Sequence, residues 1–134
     1  MTTYVVGTHS VHTAATLCDY LGTRVGAGDT VVAVNSLRGG SATSSEDVRD
    51  GEDALNAVAA RLGERCTVET PQYVRGNDPH EDLLEAVAEF DADELVIGVR
   101  KRNPTAKVVF GSTAQAILLN ADVPIAVVPL VAVE

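Results

Sequence analysis

Short apolar segments typical of β-strands alternate five times with segments that have the spacing of amphipathic helices. The predicted strands are residues 4–8, 30–35, 66–74 and 95–98, followed by a fifth strand that begins at residue 125. The second, TVVAVN, is continuously β-branched or apolar up to its last residue, as expected of a strand buried on both faces. Pro71 marks an irregular or edge position in the third. This alternation predicts an α/β fold: a doubly wound, five-stranded parallel sheet with helices on both faces.

Helix signals fill the intervals between these strands. Apolar residues recur at helical spacing in residues 11–21 and 48–62, and a glycine follows each stretch. Residues 78–81 (DPHE) combine an N-cap Asp, a Pro at the first helical position and a carboxylate at the third. Residues 112–115 (STAQ) have the spacing of a capping box, which predicts Ser112 as the N-cap of a fourth helix.

The length and composition suit one domain over residues 1–134. The hydrophobic fraction is 46% but the aromatic fraction only 4%, so small aliphatic side chains must fill the core. Cys18 and Cys66 lack metal or redox spacing and are interpreted as buried, reduced thiols. Residues 1–6 contain no basic residue, and no apolar run reaches the ~18 residues of a membrane span. We therefore expect a cytoplasmic protein.

The charge balance is strongly acidic, with 19 acidic and 10 basic residues and a net charge of -9. Such a surface repels phosphates, so we expect binding neither to nucleic acid nor to a membrane. Only two of the basic residues are lysines, Lys101 and Lys107. An acidic, lysine-poor chain favours a halophilic protein kept soluble in concentrated salt; an ordinary acidic cytosolic protein is the alternative.

Ligands of doubly wound sheets bind beyond the carboxyl ends of the strands, where the strand order reverses. Three segments follow strand ends in this way: residues 8–12, 34–37 and 98–112. We expect a ligand at one or more of them.

The loop of residues 98–112 is basic in an otherwise acidic chain. Four of the ten basic residues lie within eight positions that contain no acid: Arg100, Lys101, Arg102 and Lys107. Gly98 and Gly111 permit close backbone approach, and the helix that follows presents its N-terminus to an anion. The pattern predicts an anion-binding loop; the alternative is a solvated loop whose cations offset nearby carboxylates.

The same loop resembles the signature of the universal stress protein family. That signature is a glycine, two residues, a glycine, nine residues, then a glycine followed by Ser or Thr. Here it is Gly98-Val-Arg-Lys101, nine residues, then Gly111-Ser112. Residues 5–13 are similar to the family's opening strand and turn, and residues 116–129 to its last helix and strand. The resemblance implies a flavodoxin-like or Rossmann-like sheet, a homodimer and, in one branch of the family, an ATP site.

The resemblance also assigns candidate binding residues. Those implied to line the adenosine are Val6, Gly7, Thr8 and Val34, and those implied to surround the phosphates are Gly98, Lys101, Gly111, Ser112 and Thr113. The chain departs from the ATP-binding branch at two positions. Thr8 stands where that branch usually has Asp, and Lys101 replaces the second glycine. Lys101 can contact a phosphate or fill the space that the phosphate needs.

These observations lead to three functional hypotheses. The first is a cytoplasmic, non-catalytic universal stress protein that binds ATP or AMP and acts in a stress response or in signalling. The second is a dimeric interaction protein of the same fold that binds no nucleotide, or only a simple anion. The third is a small nucleotide hydrolase that uses Ser112 or His9. In the first two, a second copy pairs along the apolar run from Ile125 to Val133.

Other polar residues are given structural interpretations. His9 and His12 are close in sequence but lack a neighbouring Cys or paired carboxylate, so no tightly bound metal is predicted. The acidic residues of the third helix are expected to form a solvated face: Glu81, Asp82, Glu85 and Glu89. Residues 44–47 (SSED) are compatible with a phosphoacceptor or a helix start.

Overall fold

The structure is a computed structural model that describes residues 1–100 and 111–130. Within these residues the chain forms six strands and four helices. The strands are β1 (Thr3–Gly7), β2 (Thr30–Leu37), β3 (Thr67–Glu69), β4 (Gln72–Val74), β5 (Glu94–Arg100) and β6 (Ile125–Leu130). The helices are α1 (Val11–Leu21), α2 (Ser45–Leu62), α3 (Pro79–Glu89) and α4 (Ser112–Asn120), with a 3-10 turn at Gly40–Ala42. The fourth and fifth predicted strands are β5 and β6.

All strand pairs are parallel, and the sheet order is β3-β2-β1-β5-β6, with β4 also paired to β2. The predicted doubly wound parallel sheet is confirmed. Counting β3 and β4 as one third strand gives the order 3-2-1-4-5, which is that of the Rossmann kind. The order reverses between β1 and β5, so the crevice for a ligand lies at the carboxyl ends of these two strands.

The predicted third strand, residues 66–74, is divided in two. Thr67 of β3 pairs with Thr30, and Gln72 of β4 pairs with Asn35 further along β2. The interruption falls at Pro71, which has no N–H for a ladder but whose carbonyl accepts from the Asn35 N–H at 3.2 Å. The sequence therefore placed the irregularity correctly at a sheet edge.

Helices cover both faces of the sheet, as predicted. One core lies beneath α1 and α2, and its strand residues include Tyr4, Val6, Val31, Ala33 and Val96. The other lies beneath α3 and α4, and its strand residues include Val5, Val32, Val34, Leu95 and Ile97. The two sets alternate along each strand because successive side chains point to opposite faces.

The starts of two helices follow their sequence signals. At α2, Ser44 Oγ accepts from the Asp47 N–H at 3.0 Å and Asp47 Oδ2 accepts from the Ser44 N–H at 2.9 Å. This capping box makes the segment a helix start. At α3, Pro79 is the first helical residue and Glu81 Oε1 accepts from the Asp78 N–H at 2.8 Å.

The start of α4 corrects the prediction. Gly111 is the N-cap, with φ -64° and ψ 165°, and Ser112 is already the first helical residue. A hydroxyl at that position is one residue too late for the N-cap role. No side chain among the described residues caps this helix.

Across residues 1–100 and 111–130, no helix has both the length and the apolar character that a membrane crossing requires.

Candidate functional site

Described residues of the three candidate ligand segments meet at one cleft, and those of residues 34–37 and 98–100 belong to the last parts of β2 and β5. A cavity of about 270 Å³ lies beyond the carboxyl ends of β1, β2 and β5, and its walls include Thr8, Ser36 and Gly98. A second cavity of about 290 Å³ adjoins it and shares the walls His9, Ile97, Gly98, Thr113 and Leu130. Together the two cavities reach the ~300–1,000 Å³ typical of small-molecule sites. The cleft occupies the position where the strand order reverses.

The part of the cleft nearest β2 and α3 is apolar. Val34, Pro79 and Leu83 line it, and Ile97 closes it from β5. Gly7 allows Leu83 to pack directly on the β1 backbone, because a Cβ on Gly7 would lie 2.9 Å from Leu83 Cδ1. This half of the cleft suits a flat, uncharged ring system.

The part nearest α4 is suited to an anion. Arg100, Gly111 and Thr113 line the second cavity together with His9. The N-terminus of α4 lies at this cavity, where its positive dipole end favours an anion. The Arg100 guanidinium adds a full positive charge.

Hydrogen bonds to Asn35 hold the floor of the cleft. Asn35 is buried, and its Nδ2 donates to the Thr8 carbonyl at 3.1 Å. Its Oδ1 accepts from Gln72 Nε2 at 3.0 Å, and the same Gln72 group also donates to the Val48 carbonyl at 3.0 Å. These bonds tie the end of β1 to β2, β4 and α2.

Thr8 is committed to the turn that follows β1. Its side chain is buried, its N–H donates to the Val34 carbonyl at 3.0 Å, and its hydroxyl donates to the Ser10 carbonyl at 3.3 Å. The hydroxyl proton is therefore used within the protein. A ligand would meet the Thr8 oxygen as an acceptor.

Gly98 has a packing role at the end of β5. A Cβ there would lie 2.7 Å from Leu130 Cδ2 and 3.0 Å from Leu130 Cγ. Leu130 of β6 thus folds across Gly98 and forms part of the wall between the two cavities. The glycine is needed for this contact, whereas the sequence suggested close approach to a ligand.

Asp82 contradicts the expected solvated acidic face. Its side chain is completely buried, with 0% exposure, and both of its oxygens have partners. Oδ1 accepts from Asn77 Nδ2 at 2.9 Å and lies 3.7 Å from Arg75 Nε, while Oδ2 accepts from the Ser36 hydroxyl. The first turn of α3 packs against the ends of β2 and β4, which brings this carboxylate to the edge of the cleft.

His9 lies on the boundary between the two halves of the cleft. Partial burial and the nearby Arg100 guanidinium hold the pKa of His9 below its usual value, because both disfavour the imidazolium. The sequence indicated His9 only as a candidate group of the hydrolase alternative and as a residue without metal-site partners. Its proximity to Arg100, 91 positions later, arises from the tertiary fold.

The structure brings together most of the residues assigned by resemblance. The cleft is lined by Gly7, Thr8, Val34, Gly98, Gly111 and Thr113. Val6 has no exposed surface and belongs to the core beneath α1 and α2. Ser112 is exposed on the first turn of α4, and Lys101 and Lys107 lie outside the described residues. Ligand contact by any of these residues stays a prediction.

The sequence indicated no role in the cleft for Pro79, Leu83 or Leu130, and it included Ser36 only as part of the candidate segment of residues 34–37. A usable signal existed for Ser36, since Asn35 and Ser36 are the polar end of an otherwise apolar strand.

One group in the described part of the chain has ligand atoms close enough to hold a metal ion. Asp78, His80 and Glu81 place such atoms within 4.8 Å of one another. Glu81 already accepts the Asp78 N–H, and Asp78 pairs with Arg38, so this group is explained by the start of α3.

The sequence and the fold are both similar to those of one family of proteins. The sequence model of the universal stress protein family matches residues 6–129. A universal stress protein of Mycolicibacterium smegmatis is 34% identical over 95 residues, which span 71% of this chain and 72% of that protein.

Solved structures agree with this match over nearly the whole chain. A universal stress protein from Archaeoglobus fulgidus has a TM-score of 0.77 and 31% identity, covering 96% of this chain and 98% of its own. A universal stress protein from the same organism in complex with dAMP has a TM-score of 0.71 and 27% identity, with the same coverage.

Proposed function

The chain belongs to the universal stress protein family, and from this premise we propose that it binds an adenine nucleotide in the cleft. The Archaeoglobus fulgidus protein in complex with dAMP supports a nucleotide of this class. In this proposal the protein is a cytoplasmic homodimer with a non-catalytic role in a stress response or in signalling. Its candidate ligands are ATP and AMP.

The observation that carries the proposal is the division of the cleft into an apolar and a positive half. A purine is flat and uncharged, so the half lined by Val34, Pro79 and Leu83 suits the base. Phosphates carry the charge, so the half formed by Arg100 and the start of α4 suits them. The base therefore favours the apolar half of the cleft and the phosphates the positive half, which defines one orientation for the bound nucleotide.

A non-catalytic role is supported by the chemistry of the walls. No Asp or Glu lines either cavity in the described residues, and residues 101–110 contain no acid. Hydrolysis would need a group that activates water, and His9 is the one ionisable base at the cleft that the structure describes. A sensitive assay of phosphate release from ATP tests the hydrolase alternative: release that His9→Gln abolishes would establish it.

Calorimetric titration in concentrated salt with ATP and AMP tests nucleotide binding directly. We expect Thr113→Val, Ser112→Ala and Lys101→Ala each to weaken binding, by about tenfold where one hydrogen bond to a phosphate is lost. Ser41→Ala, an exposed serine of the 3-10 turn, is the matched control and should change nothing. Absence of heat with every nucleotide would reject the proposal and favour the interaction protein that binds no nucleotide.

The proposed dimer uses the outer edge of β6. In the described residues β6 pairs only with β5, and Val127 remains 38% exposed on it. On the neighbouring α4, Leu118 and Leu119 are also exposed. An unpaired, apolar strand edge is a surface that proteins generally cover, and a second copy pairing along Ile125 to Val133 would cover it.

A further inference from the structure

Ser36 lines the apolar half of the cleft, and its hydroxyl proton is already in use. The hydroxyl donates to Oδ2 of Asp82, across from the end of β2 to the first turn of α3. Ser36 itself is half-buried, whereas Asp82 has no exposed surface. The bond therefore joins a residue of the cleft wall to a charge inside the protein.

The surroundings of Asp82 fix the direction of that bond. Its Oδ1 accepts from Asn77 Nδ2 at 2.9 Å and faces Arg75 Nε at 3.7 Å, and among the described residues Ser36 is the donor to Oδ2. The bond from Ser36 satisfies one oxygen of a buried carboxylate, and leaving a buried charge unsatisfied is costly. The Ser36 proton is thus held by Asp82 whether or not a ligand is present.

A hydroxyl has one proton to donate and two lone pairs that accept. With its proton on Asp82, the Ser36 oxygen can meet a ligand only as a hydrogen-bond acceptor. A ligand N–H placed there gains a hydrogen bond, and a ligand carbonyl placed there meets another oxygen without a proton between them. The site can therefore distinguish two bases of equal size when one presents an N–H to Ser36 and the other presents a carbonyl.

We propose that the Asp82–Ser36 pair is a specificity device that selects a purine with an exocyclic amino group over one with a carbonyl at the same position. This inference rests on the proposed function, since it requires the base in the apolar half of the cleft. Ser36 is the contacting residue and Asp82 the positioning residue. The relevant comparison is adenine against hypoxanthine.

The test is calorimetric titration of the full chain in concentrated salt with AMP, IMP and purine riboside monophosphate, which lacks the group altogether. The unmodified protein should bind AMP at least about tenfold more tightly than the other two. Ser36→Ala should weaken AMP about tenfold, leave purine riboside monophosphate nearly unchanged and bring the three affinities within about threefold. Ser41→Ala should keep the original preference.

Asp82→Asn provides a second readout. An amide at residue 82 can donate to Ser36, which frees the serine proton for the ligand, so the preference should shift towards IMP. Equal affinity for AMP and IMP in the unmodified protein, or an unchanged preference in Ser36→Ala, would overturn the inference while leaving nucleotide binding intact. Failure of all three nucleotides to bind would instead reject the proposed function. If Asp82→Asn does not fold, Ser36→Ala still decides.

Discussion

At the scale of single residues, buried polar side chains hold the floor of the cleft together. Asn35, buried in β2, bonds through its side chain to Thr8 and to Gln72 of β4, and Gln72 extends this network to α2. Its place in a TVVAVN strand gave little sign of this role. The strand pattern predicted burial, but the partners come from residues 8, 71 and 72.

Gly51 allows α2 to approach Asn35. A Cβ on Gly51 would lie 2.0 Å from Asn35 Oδ1, and Asn35 cannot withdraw without losing its own hydrogen bonds. We expect Gly51→Ala to destabilise the protein, since overpacking costs about 1–3 kcal/mol while the helix propensity of Ala returns at most about 1 kcal/mol. Urea denaturation of the two proteins measures the difference in their free energy of unfolding. Gly26→Ala, with nothing within 4 Å of the added carbon, is the control and should change stability little.

His9 should report on the ligand through its pKa. In the free protein that pKa lies below the usual value, through partial burial and the Arg100 guanidinium. Proton binding therefore favours the unfolded chain, so stability begins to fall as pH drops below the unfolded pKa of about 6.5 and keeps falling until pH has passed the lower pKa of His9 in the folded protein. A phosphate beside Arg100 should raise the pKa, because it offsets the positive charge.

NMR titration of the imidazole C2–H signal, with and without AMP, measures both values, and His9→Gln identifies the signal. A free-state pKa at or above about 6.5 would contradict the geometry. No change on saturation with AMP would place the phosphate elsewhere.

At the scale of elements, the helix starts show what local sequence can and cannot specify. The signals at residues 44–47 and 78–81 produced α2 and α3 as predicted, because a cap needs only neighbours in sequence. The STAQ segment had the same spacing, yet α4 begins one residue earlier than predicted, with Gly111 rather than Ser112 as its N-cap. Whether a hydroxyl caps a helix depends on the backbone conformation at that residue, which composition alone does not determine.

Ser44 closes the capping box of α2, the longest helix described. We expect Ser44→Ala to lower the free energy of unfolding by about 1 kcal/mol, because the Asp47 N–H loses its acceptor. Urea denaturation at constant salt measures it, and Ser41→Ala, three residues earlier and exposed, should have an effect within about 0.5 kcal/mol of zero. Equal effects in the two variants would show that the cap contributes nothing measurable.

At the scale of the whole molecule, the sheet has two edges with different properties. One edge carries the short strands β3 and β4, interrupted at Pro71. The other is β6, which is longer and carries the exposed Val127. Short and irregular edges discourage pairing, so association should occur at β6.

Val127→Asp should convert the proposed dimer into a monomer. The dimer would bring two aspartates together across its axis and bury their charges without partners. Sedimentation velocity in concentrated salt measures whether the protein is a dimer or a monomer. Val74→Asp, at the opposite edge and 53% exposed, is the matched control and should leave the dimer intact. A monomeric unmodified protein, or a Val127→Asp dimer, would contradict this interface.

The sequence by itself determined the order and type of the elements, the sheet class, the family signature and three candidate segments for a ligand. These depend on hydrophobic periodicity and on residues near one another in the chain. Only the tertiary structure decided that Val6 faces the core, that Asp82 is a buried partner of Ser36, and that His9 lies beside Arg100. The physical reason is that burial and charge environment depend on contacts between distant segments. The acidic face expected of α3 was wrong at Asp82, since helical periodicity does not reveal which polar position meets a strand end.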